Sequence, residues 1–425
     1  MSDVDDRFPS PGPTAVGPTA PPIAWLGEIE GVGADLLVDD QRHLRGSLAD
    51  LGELVTTLGG DRVLLVADPV AIAAAGLGDE LAAQLADRAV ATFTAFSPNP
   101  SHDEVVAAAR AGAAHRATVV VAVGGGSCLD VAKGAALAVA TPEIAASLTR
   151  GEDLDRARAL PIVAVPTTSG TGSEATHFAV VYVEGRKTSL AHPSLRPAAV
   201  VLDPRFHLAM PPRLAAVSGL DALAQAMESR WAVGATSTST RYAAAAGPLV
   251  ARHLERSVVS GDRAARVAVM VGAHLAGRAI DISTTTAAHA LSYPITSRHG
   301  VPHGHAVALT LGWVARHNAT ADAASCLDPR GPAHVRDAVR TATSWLGVEP
   351  ADAPEAVAAL VRRLGLAATT GEAGITAESA EAIARSVDPR RLANNPVRLT
   401  TEAIVELLTA TPSPPPPTSG AHATR

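Results

Sequence analysis

The chain has 425 residues, enough for two domains and a sizeable core, with 47% hydrophobic and 18% charged residues as in soluble globular proteins. A net charge of −7 without a long basic run argues against a nucleic-acid partner. Two cysteines, Cys128 and Cys326, exclude a disulfide framework and fit a reducing compartment.

No apolar stretch free of charges and breakers reaches the roughly 20 residues of a membrane span. The acidic, Pro- and Gly-rich start lacks the basic and apolar regions of a signal peptide, so a cytoplasmic location is expected. Residues 1–22 and 412–425 read as disordered tails. Between them, RVLLVADP (62–69) predicts a buried strand ending in an acid. ELAAQLADRA predicts a helix, ATFTAF a strand, and HDEVVAAARAGAAHRA a helix capped near Ser101. TVVVAVGGGS (118–127) predicts a second buried strand running into a glycine turn, with a helix directly after it. ALPIVAVPTT (159–168) is a further strand leading into the loop SGTGSEAT. HFAVVYVEGRKTSLAH predicts a hairpin turning at Glu184-Gly185, and AAVVLDP one more strand. This βαβ rhythm predicts a parallel sheet covered by helices. After Met210-Pro211-Pro212 the pattern is nearly all helical. The expected architecture is an α/β dinucleotide-binding domain with a parallel sheet (23–212), followed by an all-helical metal-binding, catalytic domain (213–411).

Two groups of residues carry chemistry. Gly124, Gly125, Gly126 and Ser127 sit between a strand and a helix, where backbone amides and the helix dipole can stabilise a pyrophosphate. The run is not G-x-G-x-x-G, and a plain tight turn is the alternative reading. Thr167, Thr168 and Thr171 add hydroxyls in a second flexible loop. Asp68, at the end of the first buried strand, either binds ribose hydroxyls, favouring NAD over NADP, or caps the next helix. In the helical half, Asp221 and Gln225 lie four residues apart and can face one point; His289 and Tyr293 share that spacing, and His303 follows. Carboxylate with imidazole suits Fe²⁺ or Zn²⁺, although a single Asp or His has a packing role as often as a ligand role.

These segments together resemble the iron-containing alcohol dehydrogenases over residues 23–410. The resemblance rests on GGGSCLDVAK (124–133), PTTSGTGSEAT (166–176), LDPRFHLAMPPRL (202–214), GLDALAQAMES (219–229) and HALSYPITSRHGVPHGHA (289–306). It implies pyrophosphate binding by Gly124 to Ser127 and nicotinamide-side contacts from Asp130, Thr167, Thr168 and Thr171. It also implies metal ligation, Fe²⁺ being expected, by Asp221, His289 and His303, with Gln225 in a position the family usually gives to histidine. A glutamine carbonyl is a neutral and weaker donor than imidazole. Tyr293 likewise replaces a frequent histidine; it is a poor proton relay near neutral pH but can hydrogen-bond a substrate oxygen.

The combination of glutamine and tyrosine resembles the phosphonoacetaldehyde reductase branch of the family. The implied reaction is nicotinamide-dependent reduction of an aldehyde or ketone, with NAD as cofactor and NADP as the alternative. Tyr293 and Arg298 are the expected catalytic and anion-binding groups, with Lys187 and Arg230 as weaker cationic candidates. Other readings are a dehydrogenase that tailors a modified peptide, and a metal-poor, non-catalytic partner protein. Assembly as a homodimer is compatible with either enzymatic reading.

Overall fold

The computed structural model describes residues 23–410, apart from 24, 30–31, 33–35, 38–43, 143–156 and 184–185. The expected tails and the Glu184-Gly185 turn therefore lie outside the described residues.

The N-terminal half contains β1 (Leu44–Arg45), α1 (Leu51–Thr57), β2 (Arg62–Ala67), α2 (Pro69–Ala75), α3 (Gly78–Gln84) and β3 (Ala89–Phe93). It continues through α4 (His102–His115), β4 (Val119–Gly124), α5 (Gly126–Ala140) and β5 (Ile162–Pro166). The hairpin strands β6 (Phe178–Val183) and β7 (Arg186–Ala191) precede β8 (Ala199–Val201) and the short helix α6 (Pro204–Leu208). Six strands form one parallel sheet in the order β1-β8-β5-β4-β2-β3, while β6 and β7 pair antiparallel as a separate ribbon.

The parallel sheet follows from strands that are apolar on both faces. β4 and β5 are buried along their whole length, and β2 is buried after Arg62. Alternate residues feed two different cores. Leu64, Val66, Val120, Ala122, Ile162 and Ala164 pack with α4 and α5. Val63, Leu65, Val119, Val121, Val123 and Val165 pack with α1, α3 and Phe206 of α6 on the other face. Ser101 caps α4 in a reciprocal capping box with Glu104.

One local expectation is corrected. Helix α3 stops at Gln84, and β3 begins at Ala89 because Arg62 to Val66 of β2 pair in register with Ala89 to Phe93. Pairing with a neighbouring strand overrides the local helix preference of that segment. Helix α2 is the helix that one reading of Asp68 expected it to cap, and Asp68-Pro69 is its start signal, cap then N1 proline.

The strands end at Val201, and α7 (Pro212–Trp231) opens the helical half. It is followed by α8 (Ser237–Val259), α9 (Arg263–Ser283), α10 (Ala287–His299), α11 (His303–Asn318) and α12 (Pro332–Ser344). Helices α13 (Ala353–Arg363), α14 (Ala377–Ser386), α15 (Pro389–Leu392) and α16 (Thr401–Thr409) complete it. Helix α7 is buried nearly all round, packed against α8, α9, α11 and α12, so the polar groups it carries are held in the interior. Among the described residues no helix is long and apolar enough to cross a membrane.

Candidate active site

A cleft of about 930 Å³ opens at the carboxyl ends of the central strands, the place where open parallel sheets present ligand sites. Asp68 follows β2, Gly125 and Gly126 follow β4, and Thr167 follows β5, so the loops after three neighbouring strands line the same cleft. The ribbon covers one side of it. Phe178, Val180 and Tyr182 of β6 alternate with residues facing away, and with Lys187, Ser189 and Ala191 of β7 they line the cleft. Further lining comes from α7, α10 and α11.

The glycine turn has a steric cause. A Cβ on Gly126 would lie 2.7 Å from Thr171 Cγ2, so glycine lets the second loop sit against the start of α5. Ser127 Oγ accepts from the Asn99 amide at 3.3 Å. Asp130 Oδ1 accepts from Ser173 Oγ at 2.8 Å, and burial raises its carboxyl above the usual range. Asp68, Gly125, Gly126, Ser127, Asp130, Thr167, Thr168 and Thr171 all line this cleft, whereas Gly124 ends β4 outside the lining, packed against Cys128. Asp68 caps α2 by accepting from Val70 N at 3.0 Å and Ala71 N at 3.2 Å, while its side of the cleft remains open.

At the other end Asp221, His289 and His303 offer ligand atoms that all lie within 4.8 Å of one another. His289 Nε2 is 3.1 Å and His303 Nε2 3.9 Å from Asp221 Oδ1. The close crossing of α11 over α7 makes this possible, because a Cβ on Gly304 would fall 2.1 Å from the Val217 carbonyl. Gly304→Ala is accordingly expected to push His303 away from Asp221 and to cost about 1–3 kcal/mol of stability. Retained metal stoichiometry in that variant, measured by elemental analysis, would count against this account.

Both imidazoles are held by partners that leave Nε2 for a ligand. Glu228 Oε2 accepts from His289 Nδ1. Ser292 Oγ donates to the His289 carbonyl at 2.7 Å and so accepts from His303 Nδ1 at 3.1 Å. Burial opposes charge on His289, yet Glu228 and Asp221 lift it to about 9, so ligation must release a proton. Burial pushes His303 down to about 3 against the pull of Asp221, keeping its imidazole neutral. Burial would raise Asp221, but the His289 hydrogen bond and the charges around it outweigh that and hold the carboxyl below its usual range.

Gln225, one turn beyond Asp221, donates Nε2 to the Thr171 carbonyl at 3.2 Å, while its buried Oε1 has no partner. An orphaned carbonyl oxygen beside a carboxylate and two imidazoles fits a divalent cation that takes mixed O and N ligands. The Gln225 hydrogen bond ties α7, which carries Asp221, to the threonine loop.

Tyr293 is stacked on His303, with ring centroids 5.7 Å apart, and burial raises its phenol to about 12. Lys187 Nζ lies 3.5 Å and Arg391 Cζ 4.6 Å from its ring centroid. Burial and then Arg391 lower the Lys187 ammonium to about 7. The expectation for Arg298 is corrected: it is exposed and does not line the cleft. It stands nine residues after His289 on α10, about half a turn away from the ligand face. Arg230 is likewise outside the cleft, 3.7 Å from Asp337. Two site residues were missed. Glu228 had a signal, since 221, 225 and 228 follow the i, i+4, i+7 spacing of one helix face. Arg391, far along the chain on α15, had none.

A glycine turn on a parallel sheet, sharing one cleft with a carboxylate and two imidazoles that could hold a metal, is an arrangement suited to a metal-assisted, nucleotide-linked oxidoreductase. The sequence matches the iron-containing alcohol dehydrogenase profile over residues 42–204 and the C-terminal profile of the Fe-containing alcohol dehydrogenase family over 215–411. The chain belongs to the iron-containing alcohol dehydrogenase family and is an oxidoreductase acting on CH–OH groups, an aldehyde reductase or alcohol dehydrogenase. It is 39% identical to phosphonoacetaldehyde reductase of Streptomyces viridochromogenes over 324 residues, 72% of this chain and 79% of that one. Long-chain-alcohol dehydrogenase 1 of Geobacillus thermodenitrificans is 36% identical over 63% of this chain and 69% of its own. Among solved structures, sulfoacetaldehyde reductase from Bifidobacterium kashiwanohense in complex with NAD+ superposes with a TM-score of 0.75. It is 29% identical, with 86% of this chain and 95% of that one covered.

Proposed function

We propose that this chain reduces a short aldehyde carrying an anionic tail, phosphonoacetaldehyde being the leading candidate, with NADH as reductant and iron as metal. The observation that carries the reading is one cleft holding the glycine turn at one end and Asp221, Gln225, His289 and His303 at the other. When bound, the nicotinamide supplies a hydride and the metal polarises a carbonyl oxygen.

The chain's own residues do the positioning. The amides at the start of α5 receive the pyrophosphate, and Asp68 favours a free ribose 2′-hydroxyl over a 2′-phosphate. Asp130, Thr167, Thr168 and Thr171 line the space between those amides and the metal ligands. Tyr293, neutral across the physiological range, donates a hydrogen bond to a substrate oxygen rather than relaying a proton. In this reading residues 23–212 form the nucleotide-binding part and 213–411 the metal-binding part. The two free cysteines are compatible with a reducing cytoplasm, and the product would enter natural-product biosynthesis.

Purified protein loaded with Fe²⁺ and assayed by NADH oxidation tests the proposal. Phosphonoacetaldehyde is expected to exceed propionaldehyde in kcat/KM by about tenfold or more, one charge-assisted contact's worth, and NADPH is expected to be the poorer reductant. Preferential turnover of a modified peptide terminus would instead move the enzyme to peptide tailoring.

A further inference from the structure

We propose that Lys187 and Arg391 form a clamp for the tetrahedral oxyanion of the substrate's tail, and that this pair sets the preference for charged aldehydes. The inference rests on the aldehyde-reductase reading given above and assigns its specificity to two residues.

The two cations come from distant parts of the chain, β7 and α15, and converge on one ring of α10. Both line the cleft, and among the described residues neither has a carboxylate within ion-pair distance. The contrast with neighbouring arginines is direct. Arg390, the adjacent residue, pairs with Asp388 at 2.8 Å, and Arg205 is shared between Glu80 and Asp203. Two half-buried like charges beside one ring repel each other. An anion between them converts that repulsion into two charge-assisted hydrogen bonds, with the guanidinium fork suited to a tetrahedral oxyanion.

The clamp is also held in place. Asn394, in the turn just after α15, donates Nδ2 to Ser283 O at 2.8 Å, Thr284 Oγ1 at 2.9 Å and Thr285 O at 3.0 Å. Its Oδ1 accepts from Gly234 N at 2.9 Å. Thr284 and Thr285 are themselves on the cleft wall, so the segment bearing Arg391 is pinned to the rim. Position decides between substrate and cofactor as the source of the oxyanion. The glycine turn lies at the nucleotide end, whereas Tyr293 stacks on the metal ligand His303. A short-chain aldehyde directed to the metal ligands therefore has its tail within reach of the clamp.

The test compares wild type with Lys187→Met, Arg391→Met and Lys187→Arg, all Fe²⁺-loaded and checked for folding by circular dichroism. The readouts are the ratio of kcat/KM for phosphonoacetaldehyde over propionaldehyde, the KM for NADH, and direct calorimetric binding of methylphosphonate. Each Met variant is expected to lower the ratio by about ten- to hundredfold and to weaken methylphosphonate binding, with Lys187→Arg recovering most of both. An unchanged ratio, or an equal loss on both aldehydes, overturns the clamp. A raised KM for NADH at constant ratio assigns these cations to a cofactor phosphate and also overturns it. If wild type fails to reduce phosphonoacetaldehyde, the substrate reading fails; methylphosphonate binding lost in the Met variants then still supports the clamp, and binding that persists in them overturns it.

Discussion

His303→Ala is expected to leave a folded protein with substoichiometric iron and turnover reduced by about a thousandfold or more. The imidazole is one of three side chains whose ligand atoms lie within 4.8 Å of one another, so its removal halves the nitrogen donors of the site. Gln225 Oε1 and Asp221 would remain, a set of hard oxygen donors beside the single imidazole of His289. The fold should survive for a local reason. His303 is 29% exposed at the cleft wall, and among the described residues its side-chain hydrogen bond is to Ser292. Elemental analysis gives the metal content, and thermal unfolding of the metal-free proteins separates loss of ligand from loss of structure. Wild-type turnover with iron still bound would refute the ligand assignment.

Glu228→Ala is expected to be the more damaging change to the protein itself, destabilising it by about 3–5 kcal/mol and abolishing stable metal binding. The carboxylate is fully buried. It accepts from Thr286 Oγ1 at 2.7 Å, Ala288 N at 2.8 Å, Thr286 N at 3.2 Å, His289 N at 3.4 Å and the His289 ring. Thr286, the cap residue of α10, makes no side-chain cap of its own, so Glu228 supplies from α7 the acceptor that the first turn of α10 requires. Alanine would strand four buried donors and free the His289 ring to rotate. Glu228→Gln keeps the volume but turns one acceptor into a donor facing other donors. It is expected to lower metal affinity by about 10–100-fold with a smaller stability loss. Chemical denaturation and metal competition measured on both variants distinguish the two effects. Unaltered metal affinity in Glu228→Gln would show that Glu228 caps the helix without orienting the ligand.

The parts of the site that were legible in the sequence are those whose geometry is local. A buried strand running into Gly124-Gly125-Gly126 predicts an open helix N-terminus, and the structure has one at α5. Asp221 and Gln225 face one point because four residues are about one helical turn, and Glu228 continues the same face. The same arithmetic, applied to α10, would have excluded Arg298. Asp68 illustrates a reading that stayed open locally: its cap is visible in the Asp-Pro pair, while its place on the cleft depends on where the sheet puts the end of β2.

By itself, then, the sequence determined the βαβ order, the turn chemistry, the set of candidate ligands and the family, all carried by short-range periodicity and motif spacing. Only the tertiary structure decided how those pieces meet. It brought His303 to Asp221 by crossing two helices at Gly304, joined Gln225 to Thr171, and placed Lys187 and Arg391 rather than Arg298 on the cleft. The reason is that a helix or strand dictates which of its side chains share a face. What that face meets is set by long-range packing between elements far apart in the chain.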